Sequence, residues 1–223
     1  MEYKLDLKEY NFGLQLNNIR LEPAIPRIIY GIEGTALLDE DCSVTNRLKP
    51  NTALYYNGSL DIKVEGIKTT ILIWEVVGTP TRLDDNLESN CVQVKTKFQS
   101  DINLDVSKEY IIRCDRVDFP LGGIAYTHTH KGPGIRYLLS GSLEVMVNQN
   151  KSYIAPNQAW FETGPEHVYA VASDKNLTSF VRVMVLPIST KGLKSIEYVL
   201  EEDDDKPKLQ KYTMFIDSEL CMK

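Results

Sequence analysis

The sequence predicts an all-β protein made of two tandem β-domains, and three observations support this prediction. Short runs rich in β-branched and aromatic residues recur between Gly, Pro, Asn and Asp residues, as at 69–77, 109–117 and 179–186. None of these runs carries the apolar stripe of a 3.6-residue period that an amphipathic helix needs. One segment of the chain also occurs twice. Many short strands indicate a sandwich or barrel, because a sheet with one apolar face must close or stack to bury it.

The repeat relates segment 49–64 to segment 155–171, about 106 residues further along the chain. The matched residues are Pro50, Asn51, Ala53 and Gly58 in the first copy and Pro156, Asn157, Ala159 and Gly164 in the second. The flanking segments 30–34 and 137–141 also match in apolar rhythm and end on glycine. The repeat therefore predicts a duplicated β-domain.

The polar stretch 78–90 has few apolar residues to bury and begins with turn-forming residues, as expected of a linker. We therefore predict a first domain over residues 1–85 and a second over residues 86–223. The second domain would carry the functional site.

Charge and hydropathy exclude several classes of partner. The 223 residues carry a net charge of −6, and no segment clusters Lys and Arg as a nucleic-acid-binding surface would. No stretch approaches eighteen consecutive apolar residues, and the N-terminus lacks the pattern of a secretory signal. We expect a cytoplasmic protein that binds neither nucleic acid nor membrane, and whose exposed barrel edges would allow a homodimer.

The only three histidines of the chain are His128, His130 and His167. His128 and His130 are two positions apart, so on a strand both imidazoles project from the same face and can share one ion. His-x-His alone is a weak signal, and three core or surface histidines are the alternative.

The passage around these histidines resembles the cupin superfamily. Its first motif, with glycine ahead of His-x-His and glycine at its end, finds Gly123, His128, His130 and Gly141, with one residue fewer in the first gap. Its second motif, Pro-x-Gly-x-x-His, finds Gly164 and His167, with Glu162 in place of proline. The resemblance implies two cupin-type double-stranded β-helix, or jelly-roll, barrels and a metal bound by His128, His130 and His167.

One departure from the family affects the chemistry. The family's glutamate ligand falls on Gly134, so three neutral imidazoles would leave the full charge of a divalent ion uncompensated. That charge favours an anionic substrate or a bound hydroxide. Among cupins, this pattern implies one divalent ion per chain, with Fe(II) favoured over Zn, Mn or Ni.

The first domain lacks these ligands. Leu21 and Pro23 fall at the positions of the histidine pair, and Asp61 falls opposite His167. We expect a degenerate N-terminal cupin-like domain without metal, which would serve a structural role.

Five residues near the histidines are candidates for substrate binding or catalysis. Arg136 would face the interior and clamp a substrate carboxylate, unless it is a surface residue paired with an acid. Tyr126 could offer a catalytic hydroxyl and Tyr169 a substrate contact, with core packing as the alternative for each. Glu162 could act as general base or orient a histidine, or else face solvent, and Trp160 could line the substrate site.

The preferred function is a three-histidine iron(II) dioxygenase acting on a small acidic or dicarbonyl metabolite. The first alternative is a metal-dependent lyase, isomerase or cyclase that uses the ion as a Lewis acid. The second is a non-catalytic cupin that binds a small molecule. One fold hosts many chemistries, so the sequence alone does not separate these.

Overall fold

A computed structural model describes residues 2–13, 18–22, 25–40, 45–78 and 92–222. In this part of the chain the regular structure is seventeen strands and two 3-10 turns of three residues each, Ile188–Thr190 and Glu201–Asp203. The predicted all-β class is confirmed. A helix with the length and apolar character needed to cross a bilayer does not occur in the described ranges.

The chain divides into two compact units. Unit 1 comprises Met1–Ser107 and Leu220–Lys223, and unit 2 comprises Lys108–Glu219. The boundary predicted between residues 85 and 86 lies outside the described residues. Downstream of it, the strand at 92–103 belongs to unit 1, whereas the sequence placed this segment in the second domain. This strand belongs to unit 1 because it pairs with the strand Glu2–Phe12, and the composition of a segment does not show which strand it pairs with.

Unit 1 is a single curled antiparallel sheet with the order β4-β3-β6-β1-β7, in which β2 pairs with β6 and β5 pairs with β3. Its strands are β1 Glu2–Phe12, β2 Asn18–Leu21, β3 Arg27–Asp39, β4 Asn46–Leu48, β5 Ala53–Tyr56, β6 Leu60–Gly78 and β7 Val92–Asn103. The long strands β3 and β6 pass through both halves of the sheet, and register shifts near Glu33 let β3 bend.

Unit 2 consists of two five-stranded antiparallel sheets. The first has the order β13-β10-β15-β8-β17, with β8 Tyr110–Phe119, β10 Gly134–Ser140, β13 Ala159–Glu162, β15 Thr178–Pro187 and β17 Lys211–Glu219. The second has the order β12-β11-β14-β9-β16, with β9 Ile124–His130, β11 Leu143–Val147, β12 Asn150–Ile154, β14 Val168–Ala172 and β16 Ile196–Tyr198. An apolar core joins the inner faces of the two sheets, as in a jelly roll.

Matching hydrogen bonds show that the two units are copies of one fold. Tyr30 donates its hydroxyl to Asn51 Oδ1 at 2.9 Å, and Tyr137 donates to Asn157 Oδ1 at 3.2 Å. Both asparagines have a positive φ, of 57° and 67°, which asparagine tolerates better than most residues. Strand β3 of unit 1 matches β10 and β11 of unit 2, and β6 matches β14 and β15. The predicted architecture of two tandem jelly-roll barrels is confirmed.

The residues predicted at the ligand positions of unit 1 do not form a metal site. Leu21 pairs with Leu60 on β6. It is buried in the apolar core of unit 1. Pro23 lies outside the described residues. Asp61 is partly exposed and forms an ion pair with Arg20 at 2.6 Å, away from that core.

Two glycines of unit 2 provide a test of this fold. Gly141 and Gly122 both have a positive φ, of 75° and 63°. A Cβ at Gly141 would lie 2.3 Å from Thr178 Oγ1, whereas a Cβ at Gly122 would meet nothing within 4 Å. We expect Gly122→Ala to cost about 1 kcal/mol from backbone strain, and Gly141→Ala to cost at least about 2 kcal/mol more, because Leu177 and Thr178 must shift. Urea denaturation measures both, and equal losses would contradict the packing at Gly141.

Candidate functional site

Charged side chains line part of the interior of unit 2. His128 and His130 come from β9, and the other members are Asp115 from β8, Arg136 from β10, Glu162 from β13 and Arg182 from β15, all of them buried. On four of these strands an apolar core residue stands two positions from the charged one, namely Val117, Leu138, Trp160 and Phe180. Because alternate residues of a strand share a face, the charged groups form a layer directly against the apolar core.

The histidine pair is held in a defined orientation. His128 Nδ1 lies 2.7 Å from the carbonyl oxygen of Tyr126, which can only accept, so Nδ1 carries the proton. Burial lowers the pKa of His128, so its Nε2 is unprotonated and has a free lone pair. This Nε2 lies 3.3 Å from His130 Nε2. Burial, reinforced by the charge of Arg136, lowers the pKa of His130 to about 3. Both imidazoles are therefore neutral at physiological pH.

Glu162 connects the histidines to Arg136. Its Oε1 accepts a hydrogen bond of 2.8 Å from Trp160 Nε1. Its Oε2 lies 2.9 Å from His130 Nε2 and 2.7 Å from an Arg136 guanidinium nitrogen. Burial by itself raises the pKa of Glu162, but the charge of Arg136, the close contact with His130 and the hydrogen bond from Trp160 outweigh it and lower the pKa. Glu162 is therefore an ionised carboxylate.

The polar groups around this carboxylate are not saturated. In the described part of the chain, His130 Nδ1, Arg136 Nη2 and Glu162 Oε2 are buried without a partner in hydrogen-bond geometry. The contacts of Glu162 Oε2 to Arg136 and His130 are thus close charge contacts whose angles do not suit a hydrogen bond. A buried polar atom without a partner costs about 1–3 kcal/mol, so this cluster would gain from binding a further group.

The space between these groups is small. The cavity lined by His128, His130, Arg136 and Glu162 has a volume of about 30 Å³. That volume holds about one water molecule or one ion. An organic substrate cannot enter this cavity unless the side chains move.

The structure brings together five of the predicted site residues: His128, His130, Arg136, Trp160 and Glu162. It does not bring His167 to them. His167 is exposed and, with Tyr169, lines a separate surface depression beside Thr127 and Met146. The inward positions on β14 are those of Val168 and Ala170, so His167 and Tyr169 have the opposite parity. The sequence motif predicted the spacing of His167 from the other histidines but not the direction in which its side chain points.

Tyr126 also lies elsewhere than predicted. The pairing of β9 with β14 shifts register between Val168 and Ala170, so strand parity does not carry from His128 back to Tyr126. Ala125 lines the small cavity instead. The Tyr126 ring lies under Lys206 Nζ, at 5.2 Å, and only the carbonyl group of this residue serves the site.

Sequence reasoning missed the ion pair of Asp115 and Arg182. The two side chains form two hydrogen bonds, of 2.7 and 3.2 Å, and both residues are buried. Asp115 outweighs the effect of burial and raises the pKa of Arg182. The available signal was the single charge, Arg182, within the apolar strand segment 179–186. A charge at an inward position of such a strand needs a buried partner.

The carboxylate that the family places at Gly134 cannot be accommodated. A Cβ at Gly134 would lie 2.6 Å from the carbonyl oxygen of Val183 and 2.7 Å from Met184 Cγ. Arg136 donates to the Gly134 carbonyl at 2.5 Å. Glu162, from the neighbouring strand β13, pairs with Gly134 in register and supplies the carboxylate of the site.

A divalent ion needs several nitrogen or oxygen donors around one point. Within the described ranges, no group of three or more His, Cys, Asp or Glu side chains forms a ready-made metal site. Nevertheless, His130 Nε2 lies 3.3 Å from His128 Nε2 and 2.9 Å from Glu162 Oε2. Two ligands about 2.1 Å from one ion and at right angles to each other stand roughly 3.0 Å apart, so these two spacings admit a divalent ion, provided that His130 carries its proton on Nδ1. Arg136 already contacts that carboxylate, but a carboxylate oxygen has lone pairs for two partners.

Comparison with known proteins gives no match to a family model and none to a curated protein sequence. Solved structures do match. Bacillus subtilis oxalate decarboxylase is 11% identical with a TM-score of 0.62, covering 91% of this chain and 73% of that one. AerE from Microcystis aeruginosa is 13% identical with a TM-score of 0.54 and coverages of 82% and 87%. YhaK from Escherichia coli is 12% identical with a TM-score of 0.52 and coverages of 82% and 84%. At these identities the likeness establishes the fold.

A double-mutant cycle tests the charge cluster. Arg136→Met and Glu162→Gln each leave a buried charge without its partner, so we expect each to lower the free energy of unfolding by about 3–5 kcal/mol. The double variant should be less destabilised than the sum of the two by about 1–3 kcal/mol. Urea denaturation at pH 7 measures all three.

The matched control is the partly exposed pair Arg116 and Asp118, whose contact is 3.1 Å. Arg116→Met and Asp118→Asn should couple by less than about 1 kcal/mol. Additive losses at Arg136 and Glu162 would show that the two side chains do not depend on each other.

Proposed function

We propose that unit 2 is a metal-dependent cupin whose divalent ion is bound by His128, His130 and Glu162. The observation that carries this proposal is the convergence of two neutral imidazole nitrogens and one unsaturated carboxylate oxygen in a buried cavity of about 30 Å³. The fold supports it as well, since Bacillus subtilis oxalate decarboxylase, one of the structural neighbours, has Mn(II) centres.

The surrounding residues would prepare these donors. The Tyr126 carbonyl fixes the proton of His128 on Nδ1 and so directs its Nε2 lone pair inward. Trp160 holds Glu162 through Oε1, leaving Oε2 to face the histidines. The charge of Arg136 balances that of Glu162, so the charge of a bound ion remains uncompensated. This balance favours an anionic substrate.

The donor set supports iron(II) chemistry as the finer proposal. Two histidines and one carboxylate form the set used by non-haem iron(II) oxygenases, in which open positions remain for substrate and oxygen. When bound, such an ion would supply oxygen activation next to the substrate. We therefore propose a dioxygenase acting on a small acidic or dicarbonyl metabolite, with Glu162 replacing His167 as the third ligand.

A second candidate is a Lewis-acid enzyme that does not use oxygen. The similarity to oxalate decarboxylase favours it, because that protein is named for the removal of a carboxyl group and holds manganese. In this case the ion would polarise a substrate oxygen, and the same three side chains would bind it. The two candidates differ in their requirement for oxygen.

Metal analysis tests the ligand set. Protein loaded with Fe(II), Mn(II), Zn(II) or Ni(II) and then desalted should hold one ion per chain. His128→Ala, His130→Ala and Glu162→Gln should each lower metal affinity at least roughly tenfold, because two donors remain. The control His167→Ala should keep full metal content, since this side chain is exposed.

Circular dichroism of each variant separates loss of a ligand from loss of the fold. Loss of metal in His167→Ala would support the three-histidine set instead. Absence of stoichiometric metal in the wild-type protein would contradict the proposal and favour a non-catalytic binding protein.

Oxygen consumption distinguishes the two chemistries. With Fe(II)-loaded protein and a panel of diketones and aromatic acids, the dioxygenase proposal predicts oxygen uptake in stoichiometric proportion to substrate loss. The Glu162→Gln variant should lose this uptake. Turnover of a substrate by Mn(II)-loaded protein under nitrogen would favour the Lewis-acid candidate.

A further inference from the structure

A second and larger cavity adjoins the small one in unit 2. Its volume is about 790 Å³, within the range of sites that hold small organic molecules. The two cavities share four wall residues, Arg182, Ile196, Tyr198 and Tyr212. The large cavity therefore lies directly outside the His128, His130 and Glu162 cluster.

The walls of the large cavity include two aromatic rings from opposite sheets. Tyr198 belongs to the edge strand β16 and Tyr212 to the edge strand β17. Lys208 Nζ lies 4.6 Å from the centre of the Tyr198 ring, and the Arg182 guanidinium lies 5.8 Å from that of Tyr212. Each ring thus stands beside a cation, and the two rings give the cavity an aromatic lining.

Apolar side chains that are exposed to solvent also converge on this cavity. Leu193 is 60% exposed, Tyr212 46% and Met214 50%, although large apolar residues normally gain by burial. An exposed apolar surface that lines a concave pocket is typical of a ligand-binding site. A flat apolar ligand would cover these three side chains.

The basic side chains that line the cavity differ in whether a carboxylate is paired with them. Arg182 is paired with Asp115 and Arg113 with Asp217. Lys194 and Lys208 also line the cavity. In the part of the chain that the structure describes, neither has a carboxylate within ion-pair distance, although Lys208 donates to backbone carbonyls of 203 and 204.

One carboxylate, that of Asp204, opposes these two lysines in the lining. The chain as a whole carries a net charge of −6, whereas this pocket places two lysines against one such carboxylate. The Tyr198 hydroxyl adds a neutral hydrogen-bond donor to the same lining. Lysine and phenol donors together suit an anionic oxygen.

We propose that this cavity binds a small planar organic anion, such as an aromatic carboxylate, with its ring against Tyr198, Tyr212 and Met214 and its carboxylate toward Lys194 and Lys208. That this molecule is the substrate rests on the function proposed above, whereas its binding does not. The sequence predicted that Arg136 would bind the substrate anion. Arg136 is buried and paired with Glu162, so residues of the larger cavity take this role instead.

Calorimetric titration of the full chain with 2-naphthoate tests the inference, in buffer with EDTA so that bound metal plays no part. We expect one binding site per chain, and at least tenfold weaker binding of the neutral 2-naphthamide. The double variant Lys194→Met/Lys208→Met should lose roughly tenfold or more in affinity for naphthoate. Tyr212→Leu should weaken both ligands, because the ring contact is common to them.

The control is Lys211→Met, which removes an exposed lysine next to Tyr212 on the same strand but outside the cavity lining. It should bind naphthoate like the wild-type protein. Undetectable binding of naphthoate, equal binding of naphthamide, or unchanged affinity in the double lysine variant would each overturn the inference. If the protein binds naphthoate but takes up no metal, the inference stands and the proposed function fails. If it takes up metal but does not bind naphthoate, the proposed function stands and the inference fails.

Discussion

The charge of one buried carboxylate, that of Glu162, organises the interior of unit 2. An ionised carboxylate inside a barrel requires compensation, and here Arg136, His130 and Trp160 provide it. Arg136 is in turn fully enclosed, so neither side chain can be removed alone without leaving a buried charge. The position of His130, and through it the spacing to His128, follows from this arrangement. The ion-binding proposal depends on it.

The two units show what this cluster replaces. Ile29 pairs with Ile73 in unit 1 at the register where Arg136 pairs with Arg182 in unit 2. The same backbone therefore buries an apolar pair in one copy and two arginines with their acids in the other. A buried charge pair contributes less to stability than apolar packing of similar size, so at this register the charges of unit 2 are a feature that the fold does not require. Unit 1 buries charges as well, in the Arg27–Glu75 pair at 2.6 Å and in Lys8 beside Asp6, but at other positions of the fold.

The sequence predicted the features that depend on local pattern. Strand content, the duplication, and the common face of His128 and His130 follow from periodicity and spacing. Two features depend on details of pairing that no pattern carries: the register shift that turns Tyr126 away, and the parity of β14 that leaves His167 outside. The pair of Asp115 and Arg182 was missed because its partners are 67 residues apart in sequence, and only the folded sheet brings them together.

The assignment of His128, His130 and Glu162 as metal ligands of unit 2 can be tested at the metal itself. X-ray absorption at the iron edge of anaerobic, Fe(II)-loaded protein counts the histidine ligands, because imidazole rings give multiple scattering. We expect two imidazoles and the remaining donors oxygen, with the same spectrum for His167→Ala. Three imidazoles in the wild-type protein, falling to two in His167→Ala, would contradict it.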